Sequence, residues 1–319
     1  MDNIGQLIKL AGARETVPAE RVERVRQNVH SHWQQVVAEQ RVAKRPGRFK
    51  LIAVAASLVL VAGAISVFWN LEYAPTVSSL ASVERVLGEV QIRDERAHTD
   101  SRITADTGVI TGVNGRIALR MAGGQSLRID TSSHVLLHSP NHVLLESGAI
   151  YIDTASSEAA SPIRVETPLG TALDIGTQFQ VRVTGGLLVV GVRQGLVEVS
   201  QPGQQKLSVK KGYYLELAAN GESGQQPLPA DAPDWAWIET VAPEFDIEGA
   251  NLAEYLQWFA TERGVELVWA DAASESKANA ALLSGTIAGS SLDEGLILVQ
   301  QVAPFEHRLS SDRLWIRIQ

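Results

Sequence analysis

The sequence predicts a multi-domain bitopic membrane protein: a short α-helical cytoplasmic tail, one transmembrane helix, an all-β domain (solenoid, roll or sandwich) beyond the membrane and a small α+β C-terminal domain. Three observations carry this prediction. Residues 51–71 contain no charged side chain, and the 50 residues before them hold ten Lys or Arg against five Asp or Glu. Residues 83–219 are a succession of short alternating apolar runs separated by turn residues. From residue 243 onward, strand-like and helix-like patterns alternate, the helix-like stretches opening on Asn251 and Ser291.

Residues 1–40 read as two amphipathic helices. Ile4, Leu7, Ile8 and Ala11 form a short stripe that ends at Gly12 and the Pro18 region. Val22, Val25, Val29, Trp33 and Val36 then recur every three or four residues, which puts all five on one helical face. A segment of about 40 residues buries too little apolar area to fold alone. The second stripe reads as a helix lying on the membrane surface, as a coiled-coil dimer seam, or, the reading preferred here, as a face that docks a protein partner with Trp33 as the anchoring side chain.

The span follows. As a helix, Leu51 to Trp69 reaches about 29 Å, roughly one hydrocarbon thickness, and satisfies its own backbone groups in the lipid bilayer. Arg41, Lys44, Arg45, Arg48 and Lys50 precede it, whereas Glu72 follows and the next basic residue is Arg85. The positive-inside rule then places residues 1–50 in the cytoplasm and residues 72–319 outside. A cleaved signal peptide with Ser79-Leu80-Ala81 at its site is the competing reading, and it demands an n-region far longer than such peptides carry. Net charge divides along the same line, +5 over residues 1–50 and −13 over residues 72–319. An acidic outer part argues against direct nucleic-acid binding. The absence of cysteine excludes disulfides, zinc–thiolate sites and a cysteine nucleophile.

The β-rich domain over residues 83–219 is compatible with a sandwich, a roll or a β-solenoid. Residues 220–242, rich in Gly, Pro and polar side chains, read as a linker. In the unit at 243–319, residues 244–249 read as a strand and 251–264 as a helix with Asn251 as N-cap and Gly264 as terminator. Residues 265–271 and 283–289 read as strands, 291–302 as a second helix, and 305–319 as a closing hairpin.

The titratable residues offer little chemistry. His134, His138 and His142 are four apart, yet Ser139-Pro140-Asn141 turns the chain between the last two, so they read as sheet histidines and no metal ligand is assigned. His30 and His32 have no cysteine to complete a zinc site. No nucleophile elbow, zinc-protease helix or spaced acid pair is present, so the chain reads as a non-enzyme without a cofactor. Gly176-Thr177 carries the sharpest alternative. It reads as a tight turn before a strand, or as a strained peptide whose Thr177 hydroxyl attacks the preceding carbonyl and nicks the chain.

The order of these parts resembles the FecR-like family of bacterial inner-membrane anti-sigma regulators. The family pattern V-x-T-P-x-G-x-A-x-x-x-G-T-x-F-x-V is matched by Val165, Thr167, Pro168, Gly170, Ala172, Gly176, Thr177, Phe179 and Val181. The run that follows it is matched by Val190, Val192, Gly195, Val197 and Val199. The C-terminal unit is similar to the short domain shared by secretins and TonB-dependent receptors, on Phe245, Ile247, Leu252 and Leu256 at its start and Leu314, Ile316 and Ile318 at its end. The resemblance implies that residues 1–50 hold an extracytoplasmic-function sigma factor through Val22, Val25, Val29, Trp33 and Val36. It also implies that the outer part meets the signalling domain of a TonB-dependent receptor through the unit opened by Phe245. Proteases of the periplasm and membrane would release the tail, and iron or siderophore uptake would be the controlled process. Some members are cut at the step matching Gly176-Thr177. A membrane-anchored periplasmic module that binds polysaccharide or peptidoglycan, with no sigma partner, is the alternative.

Overall fold

The computed structural model describes residues 79–154, 161–229 and 231–319. The sigma-facing stripe from Val22 to Val36 and the uncharged stretch 51–71 lie outside the described residues. Among those described, no helix is long and apolar enough to cross a membrane.

The β region is a two-layer sandwich whose 17 strands are linked in one hydrogen-bonded network. One sheet contains β1 (Ala81–Leu87), β4 (Arg102–Ile103), β6 (Arg116–Met121), β7 (Ser126–Ile129), β12 (Gln178–Thr184), β13 (Leu187–Gln194), β16 (Tyr213–Ala218) and β17 (Ser223–Pro227). The other contains β2 (Val90–Ile92), β3 (Glu95–Arg96), β5 (Thr107–Thr111), β8 (His134–Ser139), β10 (Arg164–Thr167), β11 (Gly170–Asp174), β14 (Leu196–Ser200) and β15 (Leu207–Lys210). β9 (His142–Asp153) belongs to both. Its first half pairs with β8 and, in parallel, with β10, and its second half pairs with β7 and β12. The sequence pattern broke this strand in two at Ser147-Gly148, where it bends from one sheet to the other.

Alternation explains the core. Ile117, Leu119, Leu127, Ile129, Ile150, Ile152, Phe179, Val181, Val190 and Val192 point inward from the first sheet. Val109, Val135, Leu137, Val143, Leu145, Val165, Val197 and Val199 meet them from the second. Each buried Val, Ile or Leu contributes about 1.5–3 kcal/mol relative to exposure.

The first sheet's outer face is also covered. Ala118, Tyr151, Leu228, Trp235, Trp237, Ile238 and Val241 form a separate buried cluster there. Residues 220–242, read from composition as a linker, therefore do not hang free. They supply β17, a 3-10 turn (Pro233–Trp235) and the short helix α1 (Ala236–Thr240), all packed on this sheet. Their apolar anchors are few and widely spaced, so turn residues dominate the composition and mask the packing.

The C-terminal unit builds its own core from Ile247, Leu252, Tyr255, Leu256, Phe259, Leu296, Val299, Phe305, Leu314 and Ile316. Helix α2 (Leu252–Arg263) starts at an Asn251–Glu254 capping box and ends at Gly264, at φ 68°. Helix α3 (Ala272–Ala280) follows β18 (Glu266–Trp269), and helix α4 (Leu292–Val302) starts at a Ser291–Glu294 capping box. β19 (Glu306–Leu309) and β20 (Arg313–Arg317) close the sheet in the order β18-β20-β19, with β18 parallel to β20. Two sequence expectations differ. Residues 244–249 and 283–289 form no strand; an isolated bridge joins Asn251 and Leu282, just outside them. Helix α3, weakly amphipathic and alanine-rich, carries no apolar stripe to announce it.

Candidate functional site

The Gly-Thr motif lies where the chain changes sheets. β11 ends at Asp174 in one sheet and β12 begins at Gln178 in the other, so Ile175-Gly176-Thr177 is the crossing. β13 and β14 cross back at Gly195, immediately beside it. A Cβ on Gly195 would stand 2.6 Å from the Gly176 carbonyl oxygen and 2.6 Å from Thr177 Cγ2, and its φ of +82° is left-handed. The spacing of Gly176 and Gly195 thus reflects two crossings that touch.

Thr177 is fully buried, whereas Gly176 is exposed. Its amide donates to Thr154 Oγ1 at 2.8 Å, and its carbonyl accepts from the Thr154 amide at 3.0 Å. Its hydroxyl donates to the carboxylate of Asp174, itself buried, whose other oxygen has no hydrogen-bond partner. The rest of the motif is structural. The hydroxyl of Thr167 donates to the Gly170 carbonyl at 2.7 Å and accepts from the Leu169 amide at 3.2 Å, closing the Pro168-Leu169 hairpin turn. Phe179 is a core side chain.

Sequence reasoning missed a second feature, on the outer face of the first sheet. Alternation that sends Leu127, Ile152, Phe179 and Val192 inward sends Arg128, Tyr151, Gln178 and Arg193 outward, where polar residues suggest solvent. The C-terminal unit covers them instead. The side chains of Arg128 and Arg193 are 3% and 1% exposed, so each charge needs a partner. Arg128 Nη2 lies 2.7 Å from both carboxylate oxygens of Glu262, and Arg128 Nη1 donates to the Ile238 carbonyl at 3.1 Å. Arg193 Nη1 donates to the Glu262 carbonyl at 3.0 Å and its other terminal nitrogen lies 3.7 Å from Glu239. Both guanidinium groups also sit over aromatic rings, Arg128 5.4 Å from the Tyr151 centroid and Arg193 5.3 Å from that of Trp235.

The electrostatics follow. Burial disfavours the Arg128 charge, but Glu262, Tyr151 and Asp153 outweigh it and hold the guanidinium above its ordinary pKa. Burial likewise raises the Tyr151 phenol, with Asp153 adding to it. The Glu239 carboxyl is raised by burial against the opposing pull of Arg263 and Arg193.

His138 and His142 bring their rings within 5.0 Å of each other, and each of the three sheet histidines faces its own carboxylate. His134 Nδ1 lies 2.7 Å from Glu146, His138 Nδ1 2.7 Å from Asp106, and His142 Nε2 3.2 Å from Glu166. Among the described residues no group of three or more His, Cys, Asp or Glu could hold a metal ion. Of the residues taken to mark the receptor-contact unit, Ile247, Leu252 and Leu256 are buried in its core. Phe245 is half-buried, its ring 5.7 Å from Tyr255 and 5.2 Å from Trp258. They shape the unit, and its surface belongs to other residues.

A comparison with curated proteins finds no match. Among solved structures, two crystal structures of a candidate anti-sigma factor from Parabacteroides distasonis ATCC 8503 are similar at 16% identity. They cover 66% of this chain and 99% and 98% of their own, with TM-scores of 0.37 and 0.36. Residues 107–198, which run from β5 to β14 and include both sheet crossings, match the family described as FecR protein, and over that region the chain is FecR-like.

Proposed function

We propose that this protein is a transmembrane anti-sigma regulator, which holds an extracytoplasmic-function sigma factor at its cytoplasmic tail and relays a signal from the cell envelope. The observation that carries the reading is the FecR region at 107–198, set beyond an uncharged 21-residue stretch with a basic leading flank. The relay is a matter of binding. Val22, Val25, Val29, Trp33 and Val36 form the face offered to the sigma factor inside. The C-terminal unit meets the signalling domain of a TonB-dependent receptor outside, and proteases release the tail. Replacing Trp33 by Ala is expected to weaken the hold on a co-expressed sigma factor by roughly 2 kcal/mol, about thirtyfold. Retention of the sigma factor at wild-type strength in a quantitative pull-down would show that the face is misassigned.

The same reading includes a nick at the Gly-Thr crossing. Thr177 Oγ adds to the Gly176 carbonyl carbon as its proton passes to Asp174. The C–N bond breaks, nitrogen takes the proton, and water hydrolyses the resulting ester to a Gly176 carboxylate and a free Thr177 amine. The buried Thr177–Asp174 hydrogen bond supports this assignment. The wild-type chain is expected to yield two fragments on a denaturing gel, and Thr177→Ala one. Fragments that persist unchanged in the variant rule Thr177 out as the attacking group.

A membrane-anchored module that binds polysaccharide or peptidoglycan is the second reading. It draws on a polar cleft of about 590 Å³ lined by Gln178, Gln194, Lys211, Gln257 and Thr261, whose amides and hydroxyl suit sugar hydroxyls. Glycan retention by the full chain, without any recovered sigma factor, would favour it over the first.

A further inference from the structure

We propose that docking of the C-terminal unit holds the Gly176–Thr177 crossing closed, so that the last turn of α2 acts as a latch on it. Three contacts converge on that turn. Gln178 Nε2 donates to the Thr261 carbonyl at 3.3 Å, Arg193 Nη1 to the Glu262 carbonyl at 3.0 Å, and Arg128 Nη2 lies 2.7 Å from the Glu262 carboxylate. Carbonyls at a helix C-terminus have no intrahelical partner and carry partial negative charge. Here the Gly264 amide donates to the Thr261 carbonyl from within the cap, and the β-sandwich adds Gln178 to that carbonyl, the buried Arg193 cation to the Glu262 carbonyl and the buried Arg128 cation to the Glu262 carboxylate.

The positions of these donors along the chain make the docking relevant to the crossing. Gln178 directly follows Thr177, and Arg193 precedes Gly195 by two residues. Gln178 pairs with Gln194 across β12 and β13, and Gly195 packs on the Gly176 carbonyl and Thr177. Two of the three residues gripped by α2, Gln178 and Arg193, are therefore one or two steps from the pair of crossings. Gln178 Nε2 also donates to Asp153 at 3.0 Å, beside Thr154, which brackets the Thr177 backbone. Releasing α2 removes a partner from Gln178, exposes the ends of β12 and β13, and lowers the local free energy of opening there. A ligand that binds the undocked unit shifts this equilibrium by its differential affinity.

Gly264 makes the latch removable by one methyl group. A Cβ there would stand 2.0 Å from Arg193 Nε and 2.3 Å from its Cδ, at a φ of +68° that already disfavours side chains. Gly264→Ala must therefore push the Arg193 guanidinium away from the Glu262 carbonyl.

Hydrogen exchange of the full chain in detergent micelles, without any sigma factor, tests this. In Gly264→Ala, amides of 257–264 and of 174–181 are expected to exchange at least tenfold faster, with those of 134–145 unchanged. Arg193→Leu, which leaves Gly264 in place, is expected to give the same pattern. Faster exchange at 257–264 without a change at 174–181 overturns the coupling. Exchange unchanged in both segments shows that these contacts do not hold the unit, and acceleration that includes 134–145 reduces the effect to general destabilisation.

Discussion

Glu262→Ala is expected to cost about 3–5 kcal/mol in the denaturation of the outer part, because it strands a buried guanidinium. Arg128 is 3% exposed, its other hydrogen bond goes to the neutral Ile238 carbonyl, and of the carboxylates that favour its charge Glu262 acts more strongly than Asp153. The loss is large for the removal of one surface-distant carboxylate, and it has a signature. Combining Glu262→Leu with Arg128→Met removes both charges, and the double variant is expected to regain most of the lost stability. Urea denaturation followed by tryptophan fluorescence reads the effect, since Trp235 and Trp237 are buried in the same face. A loss under about 1 kcal/mol for Glu262→Ala would mean that water reaches the pair and that the face opens in solution.

Gly195→Ala is expected to cost about 3 kcal/mol, combining left-handed strain with a collision against backbone. The methyl group would meet the Gly176 carbonyl oxygen at 2.6 Å, and that oxygen belongs to a crossing tied on its far side to Thr154. Gly203→Ala is the matched control. Its φ is +76°, but no atom lies within 4 Å of the new methyl, so only the strain of about 1 kcal/mol remains. The difference between the two thermal midpoints isolates the contact between crossings. Equal losses at both positions would show that the crossings do not touch, and would remove the physical reason given for the spacing of Gly176 and Gly195.

How much of this was legible depended on how local the cause was. The apolar periods of Leu188, Val190 and Val192, or of Val197 and Val199, forecast strands because alternation is a property of neighbouring residues. The capped helix from Asn251 to Gly264 was legible for the same reason, its start and stop signals lying within one turn of its ends. The strands read into 283–289 failed because Leu283 and Ile287 alternate only by accident of burial in a loop. Helix α3 was missed because alanine, serine and asparagine give no period. The candidate site was half legible. Gly176, Thr177 and Gly195 stood out as a pattern, but Asp174 and Thr154 did not, since nothing local says which carboxylate or hydroxyl a buried threonine will meet.

By itself the amino-acid sequence determined the β-rich region, the two cap-bounded helices of the C-terminal unit, and the division between basic leading residues and an acidic remainder. Each is fixed by residues close together in the chain. Only the tertiary structure decided that β9 serves both sheets, that the two glycines mark adjoining crossings, and that Arg128 and Arg193 face a helix end instead of water. The physical reason is that alternation fixes which side of a sheet a residue takes, whereas what covers that side is set by contacts made more than a hundred residues away, as between Arg128 and Glu262.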